Sequence, residues 1–76
     1  MTPLKVIITE HAQKRLQEER QGGVTLEDIQ SAAHSIPGRI PSATRFRGFV
    51  SWSGRSFDLV AKDTKLGRLV ITIIGR

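Results

Sequence analysis

His11 and Arg15 stand four residues apart, a spacing that puts two side chains on one side of a helix. Cleavage of RNA without a metal needs a base for the ribose 2′-hydroxyl, cations for the phosphorane and an acid for the leaving oxygen. His11 falls in the first turn of an expected helix, where the positive helix end disfavours imidazolium and leaves a neutral base. Arg15 offers a guanidinium that matches phosphate geometry, and Arg68 is a second such group further along the chain. These three are the candidate catalytic residues. Arg45, Arg47, Lys62 and Arg76 are the candidate RNA-binding cations, on expected strands that present basic side chains. Arg15 and His11 have plain structural alternatives: a salt bridge to Glu18 or Glu19 for Arg15, a surface or partly buried position for His11.

Other chemistries find few parts. There is no cysteine, so thiolate metal sites and disulfides are excluded. His11 and His34 lie far apart and the acids are scattered, so no metal and no cofactor is expected. Gly22-Gly23 follows a helix rather than a strand, which argues against a nucleotide-binding loop.

The composition suits one small soluble domain over residues 1–76, with 38% hydrophobic and 25% charged residues. The net charge is +5 and the isoelectric point about 10.8. Residues 1–28 carry four basic and five acidic residues, for −1, while residues 29–76 carry eight basic residues against Asp58 and Asp63, for +6. Such asymmetry points to a polyanionic partner. No apolar run approaches the roughly 20 residues of a membrane span. No signal peptide is visible, so no membrane partner and a cytoplasmic location are expected.

These side chains must be placed by a small set of elements. Leu4–Thr9 suggests a strand, Thr9 an N-cap, and Glu10–Gln21 a helix stopped by Gly22-Gly23. Thr25 and Asp28 resemble a capping box opening a second helix that ends at Pro37-Gly38, with Leu26, Ile29, Ala33 and Ile36 at helical spacing. A connector through Pro41 follows. From Arg45 the pattern turns to period two: strands over Arg45–Trp52, Phe57–Lys62 and Arg68–Ile74, joined by tight turns.

The expected fold is α+β, β-α-α-β-β-β, with two helices packed on one face of an antiparallel sheet. One strand parity holds Phe46, Val50, Trp52, Phe57, Leu59, Ala61, Leu69, Ile71 and Ile73, and should meet the helices. The other holds Arg45, Arg47, Phe49, Ser51, Asp58, Val60, Lys62, Arg68, Val70, Thr72, Ile74 and Arg76, and should carry the basic excess to solvent. A bulge at Gly48 would flip the parity of Arg45 and Arg47.

Thr9-Glu10-His11-Ala12-Gln13-Lys14-Arg15 resembles the T-x-HA-x-x-R opening of a family of small bacterial domains of unknown function. Arg20 with Gly23–Ile29 resembles the family's second helix, R-GI-x-x-E-D-I, and Gly67–Ile73 its closing strand, G-R-x-x-V-x-T-x-I. The resemblance spans nearly the whole chain in short pieces. It implies a fold related to RelE and BrnT type toxins, ribonucleases neutralised by a cognate antitoxin. His11, Arg15, Arg68 and Thr72 fall on its motifs, and the resemblance thereby adds Thr72 to the candidate RNA-binding residues. Gln21-Gly22 is an insertion relative to the pattern, and there is no tyrosine. The function expected is therefore a toxin-like, RNA-directed protein: a metal-independent endoribonuclease of a toxin–antitoxin pair. Its partners would be RNA or the ribosome and an acidic antitoxin. The alternative is a non-enzymatic basic module, phage- or mobile-element-borne, that docks on nucleic acid or an acidic protein.

Overall fold

The computed structural model describes residues 5–17 and 23–75. The order is β1 (Val6–Ile8), α1 (Glu10–Leu16), α2 (Leu26–Ser35), β2 (Thr44–Val50), β3 (Ser56–Thr64) and β4 (Gly67–Gly75). The part of the first expected helix beyond Gln17 lies outside the described residues. Both helix starts follow their caps. The Thr9 hydroxyl accepts from the Ala12 amide at 3.1 Å. Thr25 and Asp28 form the reciprocal capping box, in which Asp28 Oδ2 accepts from the Thr25 amide at 2.9 Å and Thr25 Oγ1 from the Asp28 amide at 3.2 Å.

The strands form one sheet in the order β1-β4-β3-β2. The meander β2-β3-β4 is antiparallel, but β1 runs parallel to β4, so the sheet is mixed. The expectation of a purely antiparallel sheet is corrected on this point. Parallel pairing needs a long crossover, and the chain between β1 and β4 supplies it with both helices and two strands. The helices lie on one face of the sheet. Ala12, Ile29, Ala32 and Ala33 share a single buried cluster with Phe57, Leu59, Ala61, Val70 and Ile73. Ile40, also buried, closes that core from the connector.

Two bulges decide which side chains join it. Phe46 pairs with Leu59 and Phe49 with Phe57, so Arg47 and Gly48 together oppose Asp58. Gly48 takes a φ of +84°, a conformation glycine adopts without a Cβ penalty. Phe49 therefore joins Phe46 on the helix side, its ring centroid 5.7 Å from that of Phe57. Val50 and Trp52, expected in the core, turn outward and are 64% and 77% exposed. In β4, Thr72 pairs with Val60 but Val70 with Ala61, leaving Ile71 as the extra residue. The strand before it is flipped: Val70 and Arg68 face the helices, and Leu69, paired with Lys62, faces away. The expected inward places of Leu69 and Ile71, and the outward places of Arg68, Val70 and Phe49, are corrected for the same reason. An extra residue exchanges the two faces of a pleated strand.

Among the described residues, no helix is long and apolar enough to cross a membrane.

Candidate polyanion interface

Arg68 is not on a solvated face. It is 2% exposed and every guanidinium donor is used. Nε donates to Asp63 Oδ1 at 2.7 Å and Nη2 to Asp63 Oδ2 at 3.1 Å. Nη1 donates to the carbonyls of Ala33 at 2.7 Å and Ile36 at 2.8 Å, and Nη2 to that of Gly38 at 2.8 Å. These carbonyls belong to the last turn of α2 and the chain leaving it, where helical acceptors lack intrahelical partners. Arg68 is thus a cap for α2 held from the sheet. Asp63 also accepts from the Ile40 amide at 2.8 Å. The Arg68 guanidinium holds the Asp63 carboxyl below its ordinary value, against the opposing pull of burial.

The other predicted residues fall in separate places. Arg15 is half-buried beside the sheet edge, and its Nε donates to the Ile73 carbonyl at 3.3 Å. The Thr9 hydroxyl donates likewise to the Ile71 carbonyl at 2.9 Å, so α1 covers the stretch of β4 that β1 is too short to pair. His11 is exposed on α1. Arg45 is exposed at the far edge strand, and Nε and Nη2 both donate to Asp58 Oδ2, at 3.0 and 2.7 Å. Asp58 Oδ1 accepts from the Gly48 amide at 3.1 Å, which ties this ion pair to the β2 bulge. Arg47 is exposed at the bulge, Lys62 exposed on the outer face, and Thr72 half-buried on that face opposite Val60. Arg76 lies outside the described residues. The three proposed catalytic side chains do not share a cleft. Arg68 is enclosed, Arg15 binds the β4 edge and His11 meets solvent.

The outer face is accordingly not the basic surface that strand parity predicts. Ile7, Leu69, Val60 and Ile74 cross it, each half-buried. Four of the described cations, Lys5, Arg39, Lys62 and Lys65, gather instead at one end of the sheet. Lys62 stands on β3, Lys65 in the β3–β4 turn, Lys5 just before β1, and Arg39 beside Ile40, whose backbone pairs with Asp63. The Arg68 amide donates to the Lys5 carbonyl at 2.7 Å, which places Lys5 next to that turn. All four are exposed. The acid among them, Asp63, is spent on Arg68 and Ile40. On the helix side of this end lies a hollow lined by Ile36, Gly38, Arg39, Asp63, Thr64, Gly67 and Arg68, so that of these four cations Arg39 lines it.

The opposite end carries a feature that strand periodicity hides. The exposed Trp52 sits beside Leu26, Glu27 and Asp28 at the start of α2. The glycine at position 48, read as a bulge, was the signal that could have moved this indole out of the core.

The architecture is an α+β domain with two helices on one face of a mixed four-stranded sheet. No protein-family model matches the chain, and comparison with curated proteins and with solved structures gives no match either.

Proposed function

We propose that this chain is a small basic binding module whose cationic sheet end takes the phosphate backbone of single-stranded RNA. One observation carries the reading: the aspartates are consumed inside the fold while the cations at that end are not. Asp63 serves Arg68, Asp58 serves Arg45, and Asp28 serves Thr25 and the Trp52 amide. Lys5, Arg39, Lys62 and Lys65 are exposed at that end of the sheet. Phosphate contacts of this kind give affinity without sequence preference.

The resemblance to RelE and BrnT type toxins would add RNA cleavage. Arg68 supports α2 and Arg15 supports the β4 edge, so the proposal is binding without cleavage. Four neutralised phosphates predict a log–log salt slope of about −2.8, at about −0.7 per contact for single strands. Fluorescence anisotropy of a labelled oligouridylate across a salt series measures it. A flat response would remove the RNA reading and favour an acidic protein partner. Cleavage of the oligonucleotide that disappears in His11→Ala would restore the toxin-like reading.

A further inference from the structure

We propose that the groove between Trp52 and the start of α2 docks a basic segment of a protein partner, with an arginine or lysine laid against the indole. The site is separate from the cationic end and does not depend on RNA binding. Trp52 is 77% and Leu26 48% exposed, and Thr25, Glu27 and Asp28 complete the lining. The indole is held out by construction. The bulge at Gly48 gives the core position to Phe49. The Trp52 amide then donates to Asp28 Oδ1 at 3.0 Å, and the Ser53 hydroxyl to the Gly23 carbonyl at 2.7 Å. These bonds fasten the turn to the chain around α2, so the groove is formed before any partner arrives.

Its charge selects the occupant. Among the described residues the lining holds Glu27, whose carboxylate is exposed, and Asp28, whose oxygens serve Thr25 and the Trp52 amide, and no lysine or arginine. Glu27 is exposed, and Asp28 keeps its negative charge because its hydrogen bonds from Thr25 and Trp52 outweigh burial. A phosphate chain is repelled here. An arginine or lysine is attracted to the indole face and to Glu27, while its methylene stem lies on Leu26.

Trp52 is the sole tryptophan of the chain, so its emission reports this groove alone. A capped hexapeptide alternating leucine and arginine should give a saturable blue shift, and its leucine–glutamate counterpart none. Trp52→Ala and Glu27→Gln, both at exposed positions, should each weaken the arginine peptide about two- to fivefold, read by anisotropy of a label on the peptide. Equal affinity for the two peptides, or no saturable shift at millimolar peptide, would overturn the proposal. A shift produced by oligouridylate instead would assign the indole to base stacking and also overturn it. A blue shift that grows with protein concentration alone would assign the groove to a second copy of this chain.

Discussion

Arg68 shows how one side chain can leave a predicted surface and become a structural centre. A lysine at this position has three donors where five are used, and it lacks the planar fork that spans Asp63 and three carbonyls. Removing one member of a buried ion pair costs about 3–5 kcal/mol, because the other charge is left without compensation. Arg68→Ala should therefore lower the unfolding free energy in urea by that amount, with Arg68→Lys losing less. A loss under about 1 kcal/mol, the worth of a surface pair, would refute the buried role. Asp63 adds a pH signature. Its folded pKa is lowered from the ordinary 3.8, so its stabilisation is present above that value and fades as pH falls through the folded pKa. Asp63→Asn should be less stable at neutral pH and should show a flatter acid limb below about pH 4. Asp28, also lowered, contributes to the slope that remains. Thermal unfolding at pH 2 to 7 measures both effects.

At the scale of elements, the glycines of the sheet do different work. Gly48 has open space where a Cβ would stand, so Gly48→Ala should cost only the left-handed backbone penalty of about 1–2 kcal/mol. Gly67 has a φ of +145° at the start of β4, and a Cβ there would collide with the Lys5 carbonyl. That carbonyl is the acceptor for the Arg68 amide, at the start of the β1–β4 pairing. Gly67→Ala should therefore cost more than Gly48→Ala, since backbone cannot swing aside as a side chain can. Equal melting temperatures for the two variants would contradict the close approach. The capping box of α2 was legible in Thr25 and Asp28 because capping is local. The partner of β1 was not legible, because nothing in Val6-Ile7-Ile8 names the strand it joins.

Across the whole molecule, α2 runs between two unlike ends. Its N-terminus carries Glu27, Asp28 and the Trp52 groove. Its C-terminus is capped by Arg68 and lies beside Arg39. Among the described residues, Lys5, Arg39, Lys62 and Lys65 thus stand at one end of the sheet and Glu27 and Asp28 at the other. The salt response should follow the same division. Replacing Lys62 and Lys65 by glutamine should reduce the slope for oligouridylate by about 1.4 in magnitude, two contacts at about 0.7 each. Glu27→Gln, at the other end, should leave that slope unchanged.

The amino-acid sequence determined the elements, their order, both helix caps and the gathering of the helices on one side of the sheet. Those follow from local hydrogen bonding and from apolar spacing within single segments. Only the tertiary structure decided which residues those elements expose. The bulges at Gly48 and Ile71 each insert one residue against the neighbouring strand, and each exchanges the faces of the strand beyond it. They sent Trp52 to solvent and brought Arg68 beneath α2. Bulge positions depend on what lies across the sheet, here Asp58 for Gly48 and Thr9 for Ile71, and those contacts span 10 and 62 residues of chain. A period-two pattern contains no record of partners so far away.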